Sequence, residues 1–205
     1  MGIMNLITTG LRWVLDTLFQ FTNSYGFSII LATILVRLLL YPLTLSQTKS
    51  MIAMKRIQPE MDAIKAKYQD DKDKLNQKMM ELYQEHKINP LGGCLPLLIQ
   101  LPILWAFFRV LRDTDFGEAV NFLNFWVLNE PDKFYILPLL AAATTYLQSR
   151  MTITDNQQST MMIAMPLMIG FFSISLPSGL VLYWITSNVF SIVQQWYINK
   201  MYPVQ

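Results

Sequence analysis

Arg37 is the first residue that needs a chemical reason. It lies in the run Leu35-Val36-Arg37-Leu38-Leu39, and no other charge occurs between Asp16 and Lys49. Placing an arginine at the centre of a bilayer costs at least ~2.5 kcal/mol, and the usual remedy is an acid on a neighbouring helix. None of the five apolar spans delineated below contains Asp or Glu. Arg37 must therefore snorkel or face a water-filled cavity. Snorkelling from mid-helix is difficult, which favours the cavity. A guanidinium in such a place attracts anionic groups in a setting of low dielectric.

A cavity needs further polar walls. Thr33 lies one helical turn before Arg37 on the same face. Gln100, Thr145 and Gln148 occur in other apolar stretches, and Trp184, Asn188, Ser191 and Gln195 follow an i, i+4, i+7, i+11 stripe. Any one of these can be an ordinary interhelical hydrogen bond, worth about 0.6–2 kcal/mol. The set, taken with an arginine that lacks an acid, reads as a polar groove. Met161, Met162, Met165 and Met168 cluster in one span, and Met51 and Met54 precede a polar block. Thioethers suit adaptable surfaces and ordinary packing alike.

Other chemistries find little support. Cys94 and His86 are the single residues of their types, so a disulfide framework, a His/Cys metal site and a Ser-His-Asp triad are not expected. Gly92-Gly93 fits no nucleotide-binding pattern. No cofactor is expected, and the net charge of +2 is too small to argue for nucleic acid.

The elements that must position these residues are helical and apolar. Hydrophobic residues make up 53% of the 205 and charged residues 15%, well below the roughly 25% charged of soluble domains. Residues 49–87 hold nine of the sixteen Lys and Arg and seven of the fourteen Asp and Glu. That block pattern predicts an all-α, polytopic membrane protein, one domain over residues 1–205, with polar loops between bilayer helices. The start lacks a basic region and is interrupted by Arg12 and Asp16, so a signal peptide is not expected. Residues 3–20 read as an interfacial amphipathic helix, with Asn5, Thr9, Arg12, Asp16 and Gln20 on one face. An extension of the first span is the alternative, and Asn23-Ser24-Tyr25-Gly26 favours a break.

Five spans follow, at 27–44, 91–111, 134–149, 160–176 and 180–198. The third and fourth are short for a span of roughly 20 residues. Pro42 sits near the end of the first, where a change of direction is tolerable. Residues 49–87 read as a helical hairpin with two narrow seams, Met54-Ile57-Met61-Ile64-Tyr68 and Leu75-Met79-Leu82-His86. Pro59 kinks the first arm or starts a new segment, and Asp71 or Asp73 caps the second. Asn89-Pro90 ends it. Basic residues in short loops put the hairpin in the cytoplasm, the amphipathic start outside and the C-terminus inside. Arg109 and Arg112, at the outer end of the second span, run against that rule, with Asp113, Asp115 and Glu118 as an offset.

Several stretches resemble a known family. Thr33-Ile34-Leu35-Val36-Arg37-Leu38-Leu39-Leu40-Tyr41-Pro42-Leu43-Thr44, then Met54-Lys55-Arg56-Ile57-Gln58-Pro59, resemble the first core helix and hairpin entry of the YidC/Oxa/Alb membrane insertases. The run Asn89 to Ile103, with Gly92-Gly93-Cys94 and Pro96, looks like that family's second-helix entry, and Pro177-Ser178-Gly179-Leu180-Val181-Leu182-Tyr183-Trp184 like its last helix. The resemblance implies a five-helix core with a hydrophilic groove, open to cytoplasm and lipid and closed outside. It gives Arg37 the part of the groove arginine, makes Thr33 and Trp184 substrate-contacting positions, and matches Gln148 to a groove glutamine. Gln100, Asn188 and Ser191 join the candidate substrate-binding groove from the residue reading.

The resemblance also implies a bacterial inner (plasma) membrane location, nascent membrane proteins as substrates and the lipid bilayer as a partner. The ribosome, the signal recognition machinery and the Sec translocon are further candidate partners. This sequence departs from the proteobacterial pattern in lacking a large outer domain before the core, and from many Gram-positive members in lacking a lipoprotein start. It has no long basic tail, so tight ribosome tethering by such a tail is not expected. The insertion that the resemblance implies is expected to be non-enzymatic: partition of the client into lipid supplies the driving force, so no nucleotide site is needed. A small anion transporter, a passive assembly scaffold and a lipid-modifying enzyme are the rivals. Internal repeats that would favour the first, and the intramembrane acid or histidine that the last requires, are missing from the sequence.

Overall fold

The computed structural model describes residues 2–88, 95–114, 116–152 and 159–201. The hairpin end at Asn89-Pro90, the Gly92-Gly93-Cys94 stretch and Asp115 lie outside the described residues, as does most of the connector after Arg150. The fold is all-helical. Its helices are α1 (Ile3–Thr22), α2 (Tyr25–Leu39), α3 (Tyr41–Arg56), α4 (Gln58–Lys67), α5 (Lys72–Glu85), α6 (Leu95–Asp113), α7 (Ile136–Thr152), α8 (Ser159–Ser173) and α9 (Ser178–Met201). Among the described residues no single helix is long and apolar enough to cross a membrane, whereas α2 and α3 together are, bent by 64° at Leu40.

Proline explains that bend. The backbone amide of Leu40 still donates to Val36 at 3.0 Å, and Thr44 donates to Leu40 at 2.9 Å. Pro42 has no N–H for the Leu38 carbonyl, and its ring would crowd that turn. It sits instead in the first turn of α3. The stretch 27–44 is therefore two helices, and α3 carries the chain on to Arg56 without a break. Pro59 acts in the same way: it sits in the first turn of α4, a new segment after Ile57. Asp71, not Asp73, caps α5, accepting from the Lys74 amide at 3.1 Å. That bond, above all other causes, holds the Asp71 carboxylate below its ordinary value.

Helices α4 and α5 form a hairpin closed by Ile57, Met61 and Leu82, with Ile64, Met79, Tyr83 and Ile88 around them. Only the central part of each seam contributes, and Tyr83 and Ile88 join from outside it. The main core is separate. It joins Leu11 and Leu15 of α1, Ile29 and Ala32 of α2, Ala106, Phe107 and Val110 of α6, and Leu180, Leu182 and Tyr183 of α9.

One end of this bundle is covered by the segment between α6 and α7. It contains a short 3-10 turn (Gly117–Val120) and a two-residue antiparallel pair, β1 (Asn121–Phe122) with β2 (Trp126–Val127). Phe116, Phe122 and Leu128 sink into the main core. The Leu128 and Glu130 carbonyls accept from the Gly179 and Ser178 amides at 2.9 and 2.8 Å, which ties the cover to the start of α9. Asp132 then caps α7, accepting from Phe134 and Leu137 amides at 2.9 and 2.7 Å. Gly26 permits the approach: a Cβ there would lie 2.0 Å from the Phe122 ring.

Burial inverts the soluble pattern. Leu39, Leu139, Leu167, Phe171 and Val193 are exposed, whereas Thr33, Thr145, Ser187, Asn188 and Gln195 are buried. Such a surface suits hydrocarbon, and polar groups turned inward need partners or water.

Candidate functional site

Thr145, Asn188 and Gln195 of these inward groups line a cavity of about 240 Å³ between α2, α3, α6, α7, α8 and α9. Arg37 is half-buried at its inner end. Its Nε donates to Ser187 Oγ at 2.9 Å and its Nη2 to Gln100 Oε1 at 3.1 Å, and Nη2 also meets Ser187 Oγ. Gln100 in turn donates through Nε2 to Tyr183 Oη at 2.6 Å. Among the described residues no carboxylate lies within ion-pairing distance of Arg37. The charge is thus oriented by neutral groups and not neutralised by them.

Above this cluster the bundle is sealed. The Tyr183 ring stacks on Phe107 with centroids 4.0 Å apart, and both belong to the apolar core under the covering segment. Below it the cavity runs along α3 and α9 towards the hairpin, past Thr44, Gln47, Thr48 and Met51 on one side and Ser191, Gln194 and Gln195 on the other. Thr48 Oγ1 donates to Gln195 Oε1 at 3.2 Å, joining the two walls. Gln47 Nε2 and both polar atoms of the Gln194 amide are buried without a protein partner among the described residues. Buried amides in that state favour polar contents in the cavity.

The third wall is α7. Trp184 Nε1 donates to Thr145 Oγ1 at 3.1 Å. With the Asn188 amide turned to satisfy both of its ends, Nδ2 donates to Gln148 Oε1 at 2.7 Å and the oxygen accepts from Thr145 Oγ1 at 2.9 Å. Ser191 lines the cavity while its hydroxyl donates to the Ser187 carbonyl.

The structure brings Arg37, Gln100, Gln148, Trp184, Asn188 and Ser191 to one cavity. Thr33 is not in its wall: it is 1% exposed, with its hydroxyl donated to the Ile29 carbonyl at 2.6 Å. The sequence reading missed Ser187, although it lies three residues after Trp184 and four before Ser191, on the same stripe. It also missed Gln47 and Thr48, because α3 continues the cavity past the drawn end of the first span. No group of three metal-ligating side chains occurs among the described residues.

A second cavity, of about 650 Å³ and almost wholly apolar, lies between α6, α8 and the start of α9. Trp184 lines both cavities and so stands in the wall between polar and apolar space.

A family model described as 60Kd inner membrane protein matches residues 17–205. The chain is 49% identical to a protein of Fusobacterium nucleatum named membrane protein insertase YidC, over 97% of each chain. It is 44% identical to the protein of that name from Caldanaerobacter subterraneus, over 94% of each. The YidC of Cupriavidus metallidurans is 42% identical over 98% of this chain but only 37% of its own length. A crystal structure of an active YidC insertase superposes with a TM-score of 0.79 at 34% identity, covering 94% of this chain and 46% of that one. The chain belongs to the 60Kd inner membrane protein family, that of the YidC insertases. The relatives named in that way are inner membrane proteins, and the all-helical fold of this chain matches the superposed part of the YidC insertase structure.

Proposed function

We propose that this chain takes nascent hydrophobic segments from the cytoplasm into the bilayer, using the polar cavity as a half-channel for the segment's polar flank. One observation carries the reading: Arg37 is held in a polar cavity by partners that, among the described residues, are all neutral. A fixed charge with no counter-ion among the described residues is set to meet a transient one. The cavity closes against the covering segment and continues towards the hairpin, which matches entry from the hairpin side. On this reading the hairpin and the C-terminus are cytoplasmic, and α1 lies in the outer interface.

The steps follow from the geometry. An acidic or polar flank enters beside Gln47 and Gln194, whose buried amides exchange hydrogen bonds with it. It advances to Arg37, where a carboxylate replaces water against the guanidinium. The hydrophobic part of the client stays outside the polar wall, along the apolar side of Trp184, and partitions into lipid. Burial of that segment drives the reaction at roughly 25 cal/mol per Å² of apolar surface. For an acidic flank crossing to the outside, the membrane potential adds ~2.3 kcal/mol per charge per 100 mV. No group in the cavity makes or breaks a covalent bond in this scheme. The ribosome, the signal recognition machinery and the Sec translocon are proposed partners upstream of these steps.

Reconstitution tests the reading. The purified protein in liposomes is given a single-span client with an acidic N-terminal flank, and protease protection of the flank is followed. Protection that requires the protein and is lost when the cavity is filled by Ser191→Trp supports it. Protection equal to that of empty liposomes refutes it.

A further inference from the structure

The two arginines that run against the charge rule stand over rings that line the apolar cavity. Leu101, Trp105, Phe108 and Arg112 form one stripe of α6 at i, i+4, i+7 and i+11. The first three line the 650 Å³ cavity between α6 and α8, a volume within the roughly 300–1,000 Å³ of small-molecule sites. Arg109 stands over the Trp105 ring, with Cζ 5.4 Å from its centroid, and Arg112 over the Phe108 ring at 5.9 Å. Both arginines belong to the last two turns of α6, the end that leads into the covering segment. Leu101, Trp105 and Phe108 are themselves part-exposed.

We propose that this cavity is a binding site for one anionic diacyl phospholipid drawn from the bilayer. Acyl chain fills the apolar space against Trp105, Phe108, Leu176 and Leu180, and the phosphate meets Arg109 and Arg112. Charge complementarity selects the occupant. An apolar slot that ends in two cations matches a hydrocarbon chain that ends in an anion. Aromatic rings beneath the guanidinium groups hold them at headgroup level. Asp113 is the built-in competitor: its carboxylate lies 3.8 Å from Arg109 Nε and 3.3 Å from Arg112 Nε. Part of the arginine charge is spent on it when no lipid is bound. The site uses neither Arg37 nor the polar cavity and shares the Trp184 wall with the proposed client path, so lipid retention measured without a client tests it apart from that reading.

Native mass spectrometry of the whole chain tests this, after equilibration in micelles holding equal phosphatidylglycerol and phosphatidylcholine. The wild type is expected to retain phosphatidylglycerol in preference. Arg109→Gln with Arg112→Gln should lower that preference by about fivefold per arginine, near the ~1 kcal/mol of a basic residue at an anionic membrane surface. Asp113→Asn should raise it, which a purely structural role of the trio would not do. Leu101→Trp, which fills the cavity from an exposed position, should reduce retention of both lipids. Equal retention of the two lipids by the wild type would overturn the proposal. So would an unchanged preference in the double arginine variant, or a lowered one in Asp113→Asn.

Discussion

Replacing Arg37 by alanine separates a charge that serves a client from one that holds the fold. Two carboxylate-guanidinium charges 4 Å apart attract by about 1 kcal/mol in the dielectric of water and about 4 kcal/mol at an effective value of 20. A hydrated cavity walled by protein lies between these limits. At a factor of ten per ~1.4 kcal/mol, the loss for a client with an acidic flank is roughly 10- to 100-fold in insertion rate. Clients with neutral flanks should lose less than about a tenth of that factor. The folding side runs differently. Ser187 and Gln100 are neutral, so the variant leaves no orphaned ion, only two polar groups in a cavity that water can enter. Hydrogen bonds from a charged donor to two neutral acceptors are lost, at ~1.5–3 kcal/mol per acceptor, while the cost of holding a half-buried charge disappears as well. A net change near 1 kcal/mol would shift Tm by about 2–4 °C for a chain of this size. Breaking a true buried ion pair would cost ~3–5 kcal/mol, or roughly 6–20 °C. The assay is insertion of paired acidic and neutral clients into liposomes, beside the melting temperature of each purified variant. Arg37→Lys should retain part of the activity, since a single ammonium keeps the charge but loses the two-pronged grip on Ser187 and Gln100. Equal impairment of both clients, or a melting temperature lowered by more than about 6 °C, would refute the reasoning.

Further predictions concern the cover, the wall and the hairpin. Gly26→Ala should push Phe122 out of its place and cost roughly 1–3 kcal/mol by overpacking, read as a lower melting temperature; Gly10→Ala, where a Cβ meets open space, is the control and should not lower it. A photocrosslinker at Trp184 should capture a stalled client, whereas one at the exposed Val193 of the same helix should capture lipid; the reverse pattern would mean that the client path is misassigned. A maleimide unable to cross membranes should label Lys72→Cys in inverted vesicles and not in intact cells. Labelling from the outside alone would overturn the orientation.

Much of the site was legible in the sequence because the physics was local. An arginine in an apolar run with no acid in any span requires a polar environment whatever the neighbours are. Pro42 and Pro59 marked places where a helix can kink or restart, although Pro102 and Pro166 lie inside continuous helices, and the sequence narrowed the cap of the second hairpin arm to Asp71 or Asp73. The stripe on α9 marked one face, and Ser187 belonged to it. The resemblance in the stretches around Arg37, Pro96 and Pro177 identified the family.

Packing decided the rest. Periodicity tells which residues share a face but not how far each helix is rotated against its neighbours. It could not say that Arg37 meets Ser187 and Gln100, or that the Thr33 hydroxyl turns back to the Ile29 carbonyl and leaves the cavity wall. The 64° bend sends α3 along the cavity, so Gln47 and Thr48 become wall residues that a straight span would have left in a loop. Closure at one end depends on Phe122 reaching Gly26, about a hundred residues earlier in the chain. Close approaches of that kind are fixed by shape across distant segments, and no spacing along a single helix records them.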